Sequence, residues 1–126
     1  MRSAATVARY LPGLIFVAFG LNGFLNFIPQ PPPPSPLVGQ FMTVMFVSHY
    51  LVPVFALQLA AGLILLSGRF TALALALLAP ILVNILIYHI TMDPASIAPG
   101  LIATVLWAIL FARHRAAFSA IFQAAA

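Results

Sequence analysis

The chain has 126 residues, of which 64% are hydrophobic and 5% are charged, and it contains no cysteine. Soluble domains average roughly 45–50% apolar and about 25% charged residues, so this composition excludes most soluble folds and intrinsic disorder. The net charge of +4 comes from scattered arginines, which form no basic face for nucleic acid. Because a membrane span needs about 20 mostly apolar residues, the chain has material for about four spans in a single domain, 1–126.

The first predicted span covers about residues 11–28, and Asn22 and Asn26 lie near its C-terminal end. The next segment, 29–36, has six prolines in eight residues. Proline lacks a backbone N–H and fixes the φ angle, so this segment is predicted to be an extended polyproline connector. We therefore expect the chain to leave the membrane after the first span.

The apolar stretch from residue 38 to residue 68 is too long for one span. A helix of this length would measure about 46 Å, whereas the hydrocarbon core is about 30 Å thick. Pro53 also interrupts the stretch. We therefore predict a break near residues 49–53, with a short interfacial helix before it and a second span at about 50–68.

Two further spans are predicted in the C-terminal half. The third covers about residues 71–91 and contains Pro80, which is expected to kink it. The fourth covers about residues 97–113. The tail, 114–126, has apolar residues at helical spacing and is predicted to lie at the membrane surface.

The arginines predict how these spans are oriented. They precede the first span, separate the second from the third and follow the fourth, while the other two loops contain none. Because cationic residues remain on the cytoplasmic side, both termini are predicted to be inside and the proline-rich loop outside. The sequence thus predicts an all-α, integral membrane four-helix transmembrane bundle, N-in/C-in. The residues that carry this argument are Arg2, Arg9, Arg69, Arg113 and Arg115.

Polar side chains inside a bilayer are costly, and in this topology they fall in the outer half of the bundle. Asn22 and Asn26 are four residues apart and therefore share a helix face, as do Asn84 and Tyr88. Because lipid-facing amides would lack hydrogen-bond partners, these faces are expected to meet in a polar pocket. The candidate binding residues are Asn22, Asn26, Gln58, Asn84, Tyr88 and His89.

Two hypotheses stay open for these residues. Asn and Gln side chains commonly hydrogen-bond membrane helices to one another, at about 0.6–2 kcal/mol each. Alternatively, amide, phenol and imidazole groups beside apolar walls suit a quinone headgroup or another small molecule. His49 and His89 as a pair of haem ligands is a weaker hypothesis, because nothing in their spacing requires it. We predict no metal site and no catalytic residue, since no carboxylate joins the histidines and no nucleophile has a base beside it.

Four short motifs stand out along the chain: GLNGF at 20–24, FIP at 27–29, GLILLSGRF at 62–70, and LAPILVNI at 78–85 followed by His89. With these motifs the chain resembles the DoxX family over about residues 8–112. The resemblance implies a four-helix bundle in a prokaryotic cytoplasmic (inner) membrane, and some members associate with thiosulfate:quinone oxidoreductase or other membrane redox assemblies. Similar sequences tend to have an acid at position 58 and a histidine at position 26, where this chain has Gln58 and Asn26.

Together with the small size and the lack of catalytic residues, the resemblance implies a non-catalytic accessory subunit of a respiratory or photosynthetic electron-transfer assembly, with a candidate quinone or lipid pocket in its outer half. Because neither Gln58 nor Asn26 titrates, the departures favour binding or scaffolding over proton-coupled catalysis. Two alternatives are a quinone-linked redox enzyme component and a stand-alone carrier of a small apolar solute. The expected partners are the lipid bilayer and either other membrane subunits or further copies of the chain.

Overall fold

The computed structural model describes residues 2–124, and this part of the chain is all-helical, as predicted. The last two residues of the predicted tail 114–126 and the side chain of Arg2 lie outside the described part. The α-helices are α1 (Arg2–Leu25), α2 (Pro36–Val47), α3 (Leu51–Ser67), α4 (Thr71–Met92) and α5 (Ala98–Arg113), and 3₁₀ helices cover Pro94–Ser96 and Arg115–Phe122.

Helix α1 ends at Leu25, before residue 28. Asn26 has a φ angle of 52°, in the left-handed region, and its backbone N–H donates to the Asn22 carbonyl at 2.8 Å. The side-chain Oδ1 of Asn22 then accepts the backbone N–H of Ile28 at 2.7 Å. Pro29 disfavours a helical conformation at the residue before it, so the chain turns out of the helix here.

The predicted break before α3 is present at residues 48–50, and α2 and α3 meet at an angle of 80°. His49 lies in the break with a φ angle of 60°. Pro53 has no N–H with which to continue a helix from α2. At its other end, α2 is started by Ser35, whose hydroxyl accepts the backbone N–H of Val38 at 3.2 Å. Thus both ends of α2 follow from local sequence.

Four of the helices pack on one another. Helix α1 contacts α3 and α5, α3 also contacts α4, and α4 contacts α5. The side chain of Trp107 on α5 donates its indole N–H to the Leu75 carbonyl on α4 at 2.9 Å. Large side chains that are completely or almost completely buried form the core between these helices, including Phe16, Leu65, Leu75, Leu78 and Leu110.

The contact between α1 and α3 depends on glycine. A Cβ atom at Gly20 would lie 2.7 Å from the backbone N of Leu59. A Cβ atom at Gly62 would lie 2.7 Å from the backbone N of Val17. Backbone atoms of a packed helix cannot move aside as a flexible side chain can, so only glycine permits the two helices to come this close.

Two helices are long and apolar enough to cross a membrane, namely α1 over Thr6–Leu25 and α4 over Thr71–Met92. Up to four spans result if each bent pair, α2 with α3 and α5 with the 3₁₀ helix that follows it, makes one span. These helices indicate that the chain associates with a membrane. Phe118 of the tail is buried, whereas Ile121 and Phe122 are exposed.

Candidate functional site

The six candidate residues do not share one environment. Gln58 is buried in the helix core, with 7% of its surface exposed. The other five lie nearer the surface, on α1, on α4 or just beyond α1. Asn22, Tyr88 and His89 are half-buried, and Asn26 and Asn84 are exposed.

Three of these side chains bond to the backbone of their own segment. Asn22 accepts the N–H of Ile28, as described above, and Asn84 donates its Nδ2 to the Pro80 carbonyl on the same helix at 2.8 Å. His89 Nδ1 lies 3.2 Å from the Asp93 carbonyl, and it donates there because a carbonyl only accepts. Among the described residues, no hydrogen bond joins any two of the six side chains.

Aromatic contacts bring two of the candidate residues together and add one that the sequence analysis missed. The Tyr88 ring stacks on Phe41 of α2, with centroids 5.6 Å apart, and meets the His89 ring edge-on at 4.9 Å. At the other end of α2, the ring centroid of Phe46 lies 6.4 Å from that of Phe55 on α3. No local pattern singles out Phe41, because it is one of 11 phenylalanines and lies in a continuous apolar stretch.

A groove runs along α2 beside the proline-rich segment. Its volume is about 730 Å³, and none of the six candidate residues lines it. The walls are almost entirely apolar. They are formed by Pro33, Pro36, Gly39, Gln40, Met42, Thr43, Val44, Phe46 and Val47.

A second cavity, of about 350 Å³, lies where α1 begins, α3 ends and α5 ends. His114 is half-buried, and its Nδ1 donates to the Leu110 carbonyl at 3.0 Å. The sequence does contain a signal for this cavity, because the predicted topology places all three arginine-containing segments on the same side of the membrane. It is lined by Thr6, Arg9, Gly68, Thr71, Leu110, Arg113 and His114.

The described residues contain no group of three or more His, Cys, Asp or Glu side chains placed to hold a metal ion. Comparison with family models, with curated proteins and with solved structures finds no match for the chain. Its resemblance to the DoxX family therefore stays a prediction.

Proposed function

We propose that the chain is a DoxX-like protein that crosses a prokaryotic cytoplasmic membrane four times and serves as a non-catalytic accessory subunit of an electron-transfer assembly. The observation that carries the non-catalytic role is the local use of its polar groups. Asn22, Asn84 and His89 each bond to backbone of their own segment: Asn22 and His89 at the C-terminal ends of α1 and α4, and Asn84 within α4. The proposal that the partner is an electron-transfer assembly rests on the resemblance to the DoxX family.

The exposed surface supports four spans. Each of the four packed helices presents an aliphatic side chain that is more than half exposed, and a surface of this kind is stable only in an apolar surrounding. At about 1.5 Å per residue, α3 and α5 are about 25 Å long, slightly less than the hydrocarbon core. Helix α2, before α3, and the 3₁₀ helix after α5 supply the remaining length at the membrane interface. The exposed side chains are Leu14, Leu63, Val83 and Val105.

The cations support the orientation. Arg9 and Arg113 line one cavity together with Gly68, which is followed by Arg69. The start of α1, the turn between α3 and α4 and the end of α5 therefore meet at one end of the molecule. The positive-inside rule assigns that end to the cytoplasm.

Cysteine labelling tests the number of spans, since the chain has no cysteine of its own. Gln30→Cys and Ser96→Cys should react with an impermeant maleimide from outside intact cells, because four spans place both loops there. Ala120→Cys should react only after permeabilisation. If α1 and α4 were the only spans, Ser96→Cys would instead be protected in intact cells, and the four-span topology would be wrong.

Purification through a tag on this chain, in mild detergent, tests the accessory role. We expect subunits carrying haem or flavin to co-elute, identified by absorption spectra and mass spectrometry. The quinol oxidation rate per assembled complex should be unchanged by His89→Ala, because His89 bonds to its own backbone. A chain that elutes without a redox subunit contradicts the accessory role. A large loss of turnover per complex in His89→Ala supports the quinone-linked enzyme instead.

A further inference from the structure

The cavity at the cationic end combines positive charge with an unsatisfied donor. The Nε of Arg9 is buried and has no hydrogen-bond partner among the described residues. Most buried polar groups in proteins are hydrogen-bonded, so this unpaired N–H is unusual. Because Nε has almost no exposed surface, the terminal Nη atoms of the guanidinium, which lie beside Gly68, are the donors that an anion in the cavity would meet. The Arg9 guanidinium is held by its neighbours, since its Cζ lies 4.7 Å from the centre of the Tyr10 ring.

Gly68 makes room for this guanidinium. It ends α3 with a φ angle of 72°, and a Cβ atom there would lie 2.9 Å from Arg9 Cζ. The side chain of Arg9 therefore lies directly against the turn between α3 and α4. Arg9, near the N-terminal end of α1, therefore lines the same cavity as Arg113 and His114, which lie where α5 ends.

No acidic side chain balances these cations. Asp93 is the sole Asp or Glu of the chain, and it follows the far end of α4. The rise of a 22-residue helix puts it about 33 Å from Thr71. Because charges more than about 10 Å apart are largely screened at ordinary ionic strength, Asp93 does not neutralise Arg9 or Arg113.

The other groups around the cavity suit an oxyanion. Thr6 and Thr71 contribute hydroxyl-bearing side chains to its lining. Helix α4 begins at Thr71, and no side chain caps its N-terminus, so its dipole adds to the positive potential there. Arginine binds phosphate through paired N–H groups, and basic pockets at the ends of membrane helices bind lipid phosphates.

We propose that this cavity binds a phosphate-type anion, carried by an anionic phospholipid headgroup or by free phosphate. Its volume of about 350 Å³ is at the low end of small-molecule sites, which span about 300–1,000 Å³, and it suits one headgroup. The cavity lies at the ends of the spans, where lipid phosphates lie. The site does not depend on the accessory role, because its residues are at the opposite end from Tyr88 and His89.

Binding to the purified full chain in dodecylmaltoside tests this site. Native mass spectrometry measures the affinity for dioleoylphosphatidylglycerol and for dioleoylglycerol, which has the same acyl chains without phosphate. Equilibrium dialysis with radiolabelled inorganic phosphate measures the free anion. We expect the phospholipid to bind at least tenfold more tightly than dioleoylglycerol, or free phosphate to bind saturably. The first result identifies a headgroup as the source, and the second identifies a soluble phosphate.

Arg9→Gln and Arg113→Gln should each weaken this binding about tenfold or more, as expected for loss of a charge-assisted hydrogen bond. Arg69→Gln and Arg115→Gln are matched controls, because they remove the same charge at the same end without lining the cavity. Equal weakening in all four variants, or no phosphate-dependent binding by the unmodified chain, overturns the proposal. Arg113 is exposed, so Arg113→Gln is expected to fold normally. Its phosphate binding therefore tests the proposal even if circular dichroism shows that Arg9→Gln has lost helicity.

Discussion

Gly62→Ala should destabilise the chain by about 2 kcal/mol, within the range for overpacking a closely fitted interior. The added Cβ would lie 2.7 Å from the backbone N of Val17 and 3.0 Å from the carbonyl oxygen of Gly13. Neither backbone atom can move without separating α1 from α3. The free energy of unfolding is measured by far-UV circular dichroism during SDS titration of dodecylmaltoside micelles.

Gly39→Ala is the matched control for this variant. It makes the same change in α2, where the new Cβ would lie at an ordinary 3.7 Å from the Pro33 side chain. Because alanine is favoured over glycine within a helix, we expect a neutral effect or stabilisation by about 0.5–1 kcal/mol. Equal unfolding free energies for Gly62→Ala and Gly39→Ala would show that the α1–α3 contact does not require glycine.

Asn22→Leu is expected to destabilise the chain by about 1–3 kcal/mol, because it leaves the backbone N–H of Ile28 without its acceptor. Asn84→Leu is the control, since it also replaces an amide with an apolar group of similar size. The Pro80 carbonyl that Asn84 contacts already accepts a backbone bond within α4, so this variant should change stability by less than about 0.5 kcal/mol. The same SDS titration measures both.

The Asn22 variant also distinguishes a structural role from a ligand site. If Asn22 only holds the turn after α1, Asn22→Leu lowers stability and leaves the affinity for added decylubiquinone unchanged. If the amide binds a quinone headgroup, the affinity for decylubiquinone falls while the unfolding free energy stays near that of the unmodified chain. The second result would favour the quinone pocket over local stabilisation.

The features that the sequence predicts well are those set by neighbours along the chain. Hydropathy alone indicates a helical membrane protein. The length of the 38–68 stretch together with Pro53 predicts a break near residues 49–53, and the structure has it at 48–50. The end of α1 is harder to predict, because it depends on one specific bond from Asn22 to Ile28. Apolar residues continue to position 28, so hydropathy cannot indicate that the helix stops at Leu25.

The candidate binding site is predicted less well than the helices. A spacing of four residues indicates a shared helix face for Asn84 and Tyr88, but the same prediction is wrong for Asn22 and Asn26, because α1 ends at Leu25 and Asn26 lies beyond it with a φ angle of 52°. The spacing also does not indicate what a face contacts. Asn84 and Tyr88 share a face of α4, yet Asn84 bonds to its own helix and Tyr88 stacks on Phe41 from α2. The local carbonyl of Pro80 is available to Asn84 at no cost in chain entropy, whereas a partner on another helix is not.

The sequence by itself determined the membrane class, the helical secondary structure and the break before α3, since each follows from local composition or from proline geometry. Only the tertiary structure decided that Gly20 and Gly62 set the approach of α1 to α3, and that Arg9 meets Arg113 and His114 around one cavity. Arg9 and Arg113 are 104 positions apart in the chain. They line one cavity because of how the helices pack. Helix packing depends on the shapes of side chains that are far apart in the sequence, so no local sequence pattern predicts it.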